Sequence, residues 1–290
     1  MSAAIEVRGF TFRYRGSSVP ALRDVHLEAK EGEVILVTGP TGSGKSTLLR
    51  ALNGLIPDFY EGEAHGVVRV AGRDVLSLRP NRVATFVGSV FQSPEDQIIA
   101  GKVGRDVAFG LENLGWEKGV IAERVNRSLE AVGLGDLAAR ETSTLSGGQM
   151  QRLALAGVLA MGPQVLLLDE PASELDPRGR QEVLGTIEKL VRSESKTMII
   201  TDHRLGDLLG AVDRVVVMHR GRVALDGAPR EVMARPEWGG WGVEIPTAVR
   251  VWRRLSQLGL DVPCPLTPEE LVDSLVPNGR NLSDALEAAA

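Results

Sequence analysis

The stretch VILVTGPTGSGKSTLLRAL, residues 34–52, decides the fold. Four consecutive apolar residues (34–37) run into a loop with glycine at 39, 42 and 44, then into the apolar helical pattern LLRAL. Continuous apolarity, in place of alternation, marks a strand buried on both faces, as in a parallel sheet covered by helices. The loop fits G-x4-G-K-[ST] with Gly39, Pro40, Thr41, Gly42, Ser43, Gly44, Lys45, Ser46 and Thr47. A nucleoside triphosphate needs many donors near its oxygens and no Cβ atoms in the way. Glycines let the backbone wrap closely, and successive N–H groups form an anion nest at a helix N-terminus. Lys45 can reach the β- and γ-phosphates as a mobile point charge, and the Ser46 hydroxyl can ligate Mg²⁺.

Outward from this stretch the same texture recurs. VLLL (165–168), MII (198–200) and VVVM (215–218) are further short apolar runs. Before them, residues 5–27 alternate apolar and polar around a turn at Arg15-Gly16-Ser17, the pattern of antiparallel strands with one wet face. Residues 96–160 read as a more helical insertion. After about Leu225, PEWGGWGVEIP (236–246) reads as a linker, followed by helical candidates at 248–258, 268–275 and 282–289. The VLLL run ends in Asp169-Glu170-Pro171. In open α/β sheets ligands sit beyond the carboxyl ends of the strands, where this pair falls. Asp169 is placed to hold a metal through its water shell, and Glu170 to polarise a water in line with the γ-phosphate.

Composition sets the outer limits. The chain has 290 residues, with 33 Lys+Arg against 38 Asp+Glu and a net charge of −5. That balance gives no electrostatic footprint for non-specific nucleic-acid binding. A single cysteine, Cys264, excludes an internal disulfide and a cysteine-rich metal site and suits a reducing compartment. The longest uncharged run, 153–168, is interrupted at Gly162-Pro163-Gln164 and is shorter than the roughly 20 residues of a membrane helix. No secretory signal is read at the start. The expectation is a soluble cytoplasmic chain that a partner brings to any membrane it serves.

LSGGQ at 145–149 specifies the family. With the motifs above, it resembles the signature of ATP-binding-cassette (ABC) ATPases. Ser146-Gly147-Gly148-Gln149 opens the apolar helix MQRLALAGVLA, and a helix start presents N–H groups and a positive dipole end. In that family the signature faces the phosphate loop of another subunit. The resemblance therefore implies a head-to-tail dimer, with Ser146, Gly147, Gly148, Gln149 and the D-loop Asp176 serving the partner's nucleotide. It also implies adenine stacking on Tyr14 in FTFRYRG, Mg²⁺ and water sensing by Gln92 in VFQSPEDQ, and γ-phosphate contact by His203 in IITDHRL. The catalytic set is then Glu170, His203 and Gln92, and the Mg²⁺ set Ser46, Gln92 and Asp169. Glu174 departs from the pattern, where a small residue is common, and bears on the dimer interface.

The resemblance covers about residues 3–235. Its fold is an α/β cassette: a mixed sheet core, an antiparallel β subdomain and a helical subdomain at about 96–160, within 1–235. A small helical extension, 236–290, follows. SPEDQI (93–98), GRDVAFGLENLG (104–115), TDHRL (201–205) and the tail wording IPTAVRVWRRLSQLG (245–259) are similar to the ATPase subunits of energy-coupling-factor (ECF) importers of cobalt and vitamins. That likeness implies a second ATPase subunit, a transmembrane coupling protein and a substrate-binding membrane subunit, at the cytoplasmic face of the cell membrane. The competing reading is the ATPase of an importer fed by a soluble binding protein. A soluble ABC protein acting on DNA or ribosomes would carry a long coiled coil or two cassettes, neither of which is seen, and a phosphotransferase leaves LSGGQ unexplained.

Overall fold

The computed structural model describes residues 3–193, 196–259 and 262–275. The chain opens with β1 (Ala3–Tyr14), β2 (Leu22–Lys30) and β3 (Val34–Thr38), and the phosphate loop leads into α1 (Lys45–Leu52). Then come β4 (Gly62–Val70), β5 (Arg73–Asp74), the short α2 (Pro80–Val83) and β6 (Val87–Val90). Three helices, α3 (Val103–Asn113), α4 (Lys118–Ala131) and α5 (Gly147–Met161), precede β7 (Val165–Asp169) and α6 (Pro177–Ser193). The remainder is β8 (Thr197–Thr201), β9 (Arg214–His219), β10 (Arg222–Gly227), α7 (Pro229–Ala234), α8 (Thr247–Gln257) and α9 (Pro268–Leu275).

Two sheets form. One is antiparallel, in the order β2-β1-β4-β5. The other has the order β10-β9-β3-β8-β7-β6, parallel throughout except for β10. The parallel strands alternate their apolar side chains between two cores. Val34 and Leu36 of β3 join Leu166, Leu168, Met198 and Ile200 in a core shared with α3–α6. Ile35 and Val37 point the other way, to α1 and to Phe10, Phe12, Leu22 and Val68 of the antiparallel sheet. Both faces of the central sheet are thus dry, which is why its strands read as unbroken apolar runs. The expected mixed sheet, antiparallel sheet and helical insertion are all present, and no described helix is long and apolar enough to cross a membrane.

Several elements have no counterpart among the expected ones: β4, β5, α2, β6, β10 and α7. VGSV of β6 lacks a continuous apolar run because Gly88 sits where α5 comes closest; a Cβ there would overlap Val158 and Pro163. The expected tail helices at 248–258 and 268–275 correspond to α8 and α9, while 282–289 lies outside the described residues. Part of the stretch 236–246 packs against the cassette rather than forming a free linker, with Val243 9% exposed and Trp241 against the core. The close approach at Gly88 can be tested directly. Gly88→Ala is expected to cost about 2 kcal/mol through overpacking. It would be read as a lower urea midpoint at unchanged m-value.

Candidate functional site

The phosphate loop joins β3 to α1 at the carboxyl edge of the parallel sheet. Two glycines explain its path. Gly39 (φ 146°) lies against the Met218 carbonyl of β9, where a Cβ would overlap. Gly44 (φ 108°) would place a Cβ 2.9 Å from the Ala21 carbonyl. The loop is therefore wedged between neighbouring strands, and its N–H groups gather at the start of α1. Ser43 Oγ is buried there without a hydrogen-bond partner, an orphan polar atom beside the anion nest. Lys45 is 6% exposed and donates to the Gly39 and Pro40 carbonyls at 2.9 and 3.3 Å. Burial pushes its ammonium below the ordinary lysine value, and Glu170, Asp169 and Asp202 partly restore it.

The ends of β7 and β8 deliver the acids. Asp169 Oδ1 accepts from Ser46 Oγ at 3.2 Å and from Thr201 Oγ1 at 2.7 Å. Glu170 adopts a left-handed backbone (φ 47°), and its N–H donates to the Thr201 carbonyl (3.1 Å) and Thr201 Oγ1 (3.0 Å). That turn brings its two carboxylate oxygens to different partners: Lys45 Nζ at 3.8 Å and His203 Nδ1 at 3.5 Å. Gln92 reaches the same cleft from the loop after β6, which also contains Tyr14, Thr41, Gly42, Lys45, Ser46 and Thr47. Its Nε2 donates to Glu174 Oε1 at 3.3 Å, so the residue that departs from the family pattern has a partner within its own chain. The Tyr14 hydroxyl is 3.0 Å from Thr47 Oγ1 and accepts from Arg50 at 2.9 Å, while its ring stands edge-on to Phe12.

The signature residues lie elsewhere. Ser146 is the N-cap of α5, accepting from the Gln149 N–H at 3.3 Å, while Gln149 Oε1 accepts from the Ser146 N–H at 3.0 Å. This reciprocal box holds the helix start. Gly147 and Gly148 pack on Leu175 and Gly179, and a Cβ on Gly148 would sit 3.1 Å from Gly179 Cα. Asp176 belongs to this second group: its carboxylate caps α6 by accepting from the Gly179 N–H at 2.6 Å. Among the described residues, no hydrogen bond or ion pair joins 145–149 to 39–47. The structure thus sorts the expected residues into two groups, with Tyr14, Gln92, Asp169, Glu170 and His203 around the phosphate loop and 146–149 beside Asp176.

Some contributors were not readable beforehand. Thr201 holds both acids, and nothing marks the last residue of an apolar strand as doing so. Gln97 closes the Gln92 loop by accepting from the Phe91 N–H (2.7 Å) and donating to the Ser89 carbonyl (3.0 Å). The tail also reaches the site. Trp241 stacks on His219 with ring centroids 5.0 Å apart, Gly242 lies over Pro40, and Glu244 forms a parallel bridge with Arg204 beside His203.

Comparison with known proteins identifies the family. Residues 22–173 match the family model described as ABC transporter. A protein of Pyrococcus horikoshii described as an ABC transporter ATP-binding protein is 43% identical over 272 residues, 93% of this chain and 96% of that one. The solved structure of cbiO1 from Clostridium perfringens, described as part of the ABC transporter complex cbiONQ, is 32% identical with a TM-score of 0.74. It covers 89% of this chain and 98% of its own. The ATP-binding cassette MJ0796, solved as a dimer in a post-hydrolysis state with ADP and phosphate, is 25% identical with a TM-score of 0.67, covering 78% of this chain and 99% of its own. The chain belongs to the ABC transporter family, as one of its ATP-binding, ATP-hydrolysing subunits.

Proposed function

We propose that this ATPase powers uptake of a small nutrient, a vitamin or metal ion, through an ECF-type membrane transporter. The observation that carries the reading is the likeness to cbiO1 over 98% of that chain, which extends past the cassette into the tail. The wording of 93–98 and 201–205 supports it. Its partners on this reading are a second ATPase subunit, a transmembrane coupling protein and a substrate-binding membrane subunit. Purifying the membrane complex and weighing every subunit tests it. A soluble substrate-binding protein in place of a membrane-embedded one would favour the other importer class.

Within the cleft, the phosphate loop binds the triphosphate and Tyr14 offers its ring to the adenine. The donor set suits a hard divalent cation: the Ser46 hydroxyl and an Asp169 carboxylate oxygen are neighbours, and Gln92 lines the same cleft. Mg²⁺ held there would neutralise charge on the β- and γ-phosphate oxygens. Glu170 orients the attacking water as general base, and His203, on the opposite side of that carboxylate from Lys45, contacts the γ-phosphate. Glu170→Gln keeps size and hydrogen bonding but removes the base. ATP binding is expected to persist while turnover falls at least about 100-fold. A steady-state rate within a few-fold of wild type would remove Glu170 from the role.

The grouping of 146–149 with Asp176, away from the loop 39–47, supports sites shared across a dimer. A Ser146→Arg chain should then bind ATP yet fail to hydrolyse it as a homodimer. Mixing it with a Lys45→Ala chain should restore activity, because one site of the mixed dimer has both halves intact. No recovery in confirmed mixed dimers would argue against sharing.

Coupling to the membrane is assigned to the loop after Gln92. Glu95 and Asp96 are exposed in a single 3₁₀ turn, Pro94–Asp96. Asp96 lines a cleft of about 500 Å³ with Gln92, Phe91, Phe59 and Tyr60. Carboxylates there can meet arginines of a membrane partner in paired, charge-assisted hydrogen bonds. Replacing both acids with Ala should spare ATP turnover of the isolated subunit but lower co-purification with the complex and abolish uptake in vesicles. Normal uptake would show the two acids to be merely solvated.

A further inference from the structure

Among the described residues, the one buried guanidinium near the cleft that the chemistry above does not use belongs to Arg180, on the first turn of α6. Its side chain is 7% exposed, and that of its partner Asp202 is 0% exposed. Four acceptors surround it. Nη2 donates to Asp202 Oδ2 (3.0 Å) and to the Arg204 carbonyl (3.5 Å), Nε to Asp207 Oδ2 (2.8 Å), and Nη1 to the Ala172 carbonyl (3.2 Å). Two of these acceptors flank His203 in sequence. The turn between them is closed locally, because the other Asp202 oxygen accepts from the Arg204 N–H at 2.8 Å. An aspartate bonded to the amide two residues on is an Asx turn, and here His203 is its central residue.

We infer that Arg180 is a positioning residue for His203: it grips both ends of the Asp202–His203–Arg204 turn and, through Ala172, the segment that follows Glu170. The inference rests on the reading of His203 as the γ-phosphate contact. The planar fork suits this task, since its donors meet acceptors from two separate segments, Ala172 and residues 202–207, in a fixed geometry; an ammonium has no such fork. The same first turn of α6 is capped by Asp176, and the Arg180 N–H donates to the Asp176 carbonyl at 2.9 Å. One rigid turn therefore joins the residue assigned to the dimer interface with the histidine assigned to the nucleotide. Burial alone would lower the Arg180 value, but Asp202 and Asp207 more than offset it and hold it above the ordinary range, so the grip is fully charged.

A buried ion pair can also be mere scaffolding, so the test separates stability from positioning. Arg180→Met alone leaves Asp202 buried without its cation and should lower the thermal midpoint. Arg180→Met with Asp202→Asn removes both charges, and its midpoint should return to within a few degrees of wild type. Asp202 Oδ1 also lies 3.9 Å from His203 Nδ1, so Asp202→Asn is measured alone as well. In the purified full-length chain the double variant should still lose about 100-fold in kcat, well beyond Asp202→Asn alone, with the KM for ATP changed less than about threefold. Arg180→Lys keeps the charge opposite Asp202 and guards against a double variant that does not fold; it should lose about 10-fold in kcat with KM unchanged. Wild-type kcat in either folded variant overturns the inference. His203→Ala, measured alongside, tells the two readings apart. If it is inactive while the Arg180 variants are normal, only the positioning role falls. If it retains full turnover, the role of His203 falls and the positioning role with it.

Discussion

Lys45 keeps its ammonium almost out of water by donating to two carbonyls of its own loop, and carboxylates from the ends of two adjacent strands converge on it. Everything around the cleft follows from that arrangement. A buried cation needs compensating charge, and Asp169, Glu170 and Asp202 can supply it only because β8 stands next to β3 in the parallel sheet, with β7 next to β8. The loop in turn can stay close to those strands only because Gly39 and Gly44 tolerate the Met218 and Ala21 carbonyls at their flanks. Strand order, glycine placement and charge balance are therefore one constraint seen at three scales. A triphosphate entering the loop brings negative charge to a place where cation and anions are already held in opposition.

The second constraint is the division of labour in space. Helix α5 begins with its own reciprocal cap, so the signature turn is already rigid in the single chain. Its neighbours are Leu175 and Gly179, not the phosphate loop. Residues separated in this way within one chain are well placed to complete a site on another, and Asp176 lies on the same side. The loop that holds Gln92 is braced by Gln97 and tied to Glu174, and it runs directly into the exposed turn at Glu95 and Asp96.

What was legible in the sequence was local. The phosphate loop, the Asp169-Glu170 pair and the LSGGQ helix start each lie within a few consecutive residues, and their chemistry demands those residue types at that spacing. The buried strands were legible because a sheet covered on both faces leaves unbroken apolar runs. What escaped depends on contacts between distant segments. β6 was hidden because close packing of α5 requires Gly88, which breaks the apolar run. Arg180 looks like any exposed arginine at a helix start until Asp202, 22 positions on, is brought beside it. The stretch 236–246 looks like a linker because its glycines and prolines suit loops, yet Trp241 and Glu244 bind it to His219 and Arg204.

The left-handed backbone at Glu170 has a consequence for how such a chain ages. A side chain held there costs about 1 kcal/mol or more, whereas glycine adopts the same conformation freely. On the proposed role of Glu170, the position is kept off its own optimum by the need for a carboxylate aimed between Lys45 and His203. Wherever a duplicated copy is relieved of the duty to hydrolyse ATP, selection for folding alone pushes this residue away from glutamate. The same drift would leave Gly39 and Gly44 untouched, because there the fold itself forbids a side chain. On the proposed role of Glu170, hydrolysis would then be lost before binding, with the phosphate cradle outlasting the carboxylate.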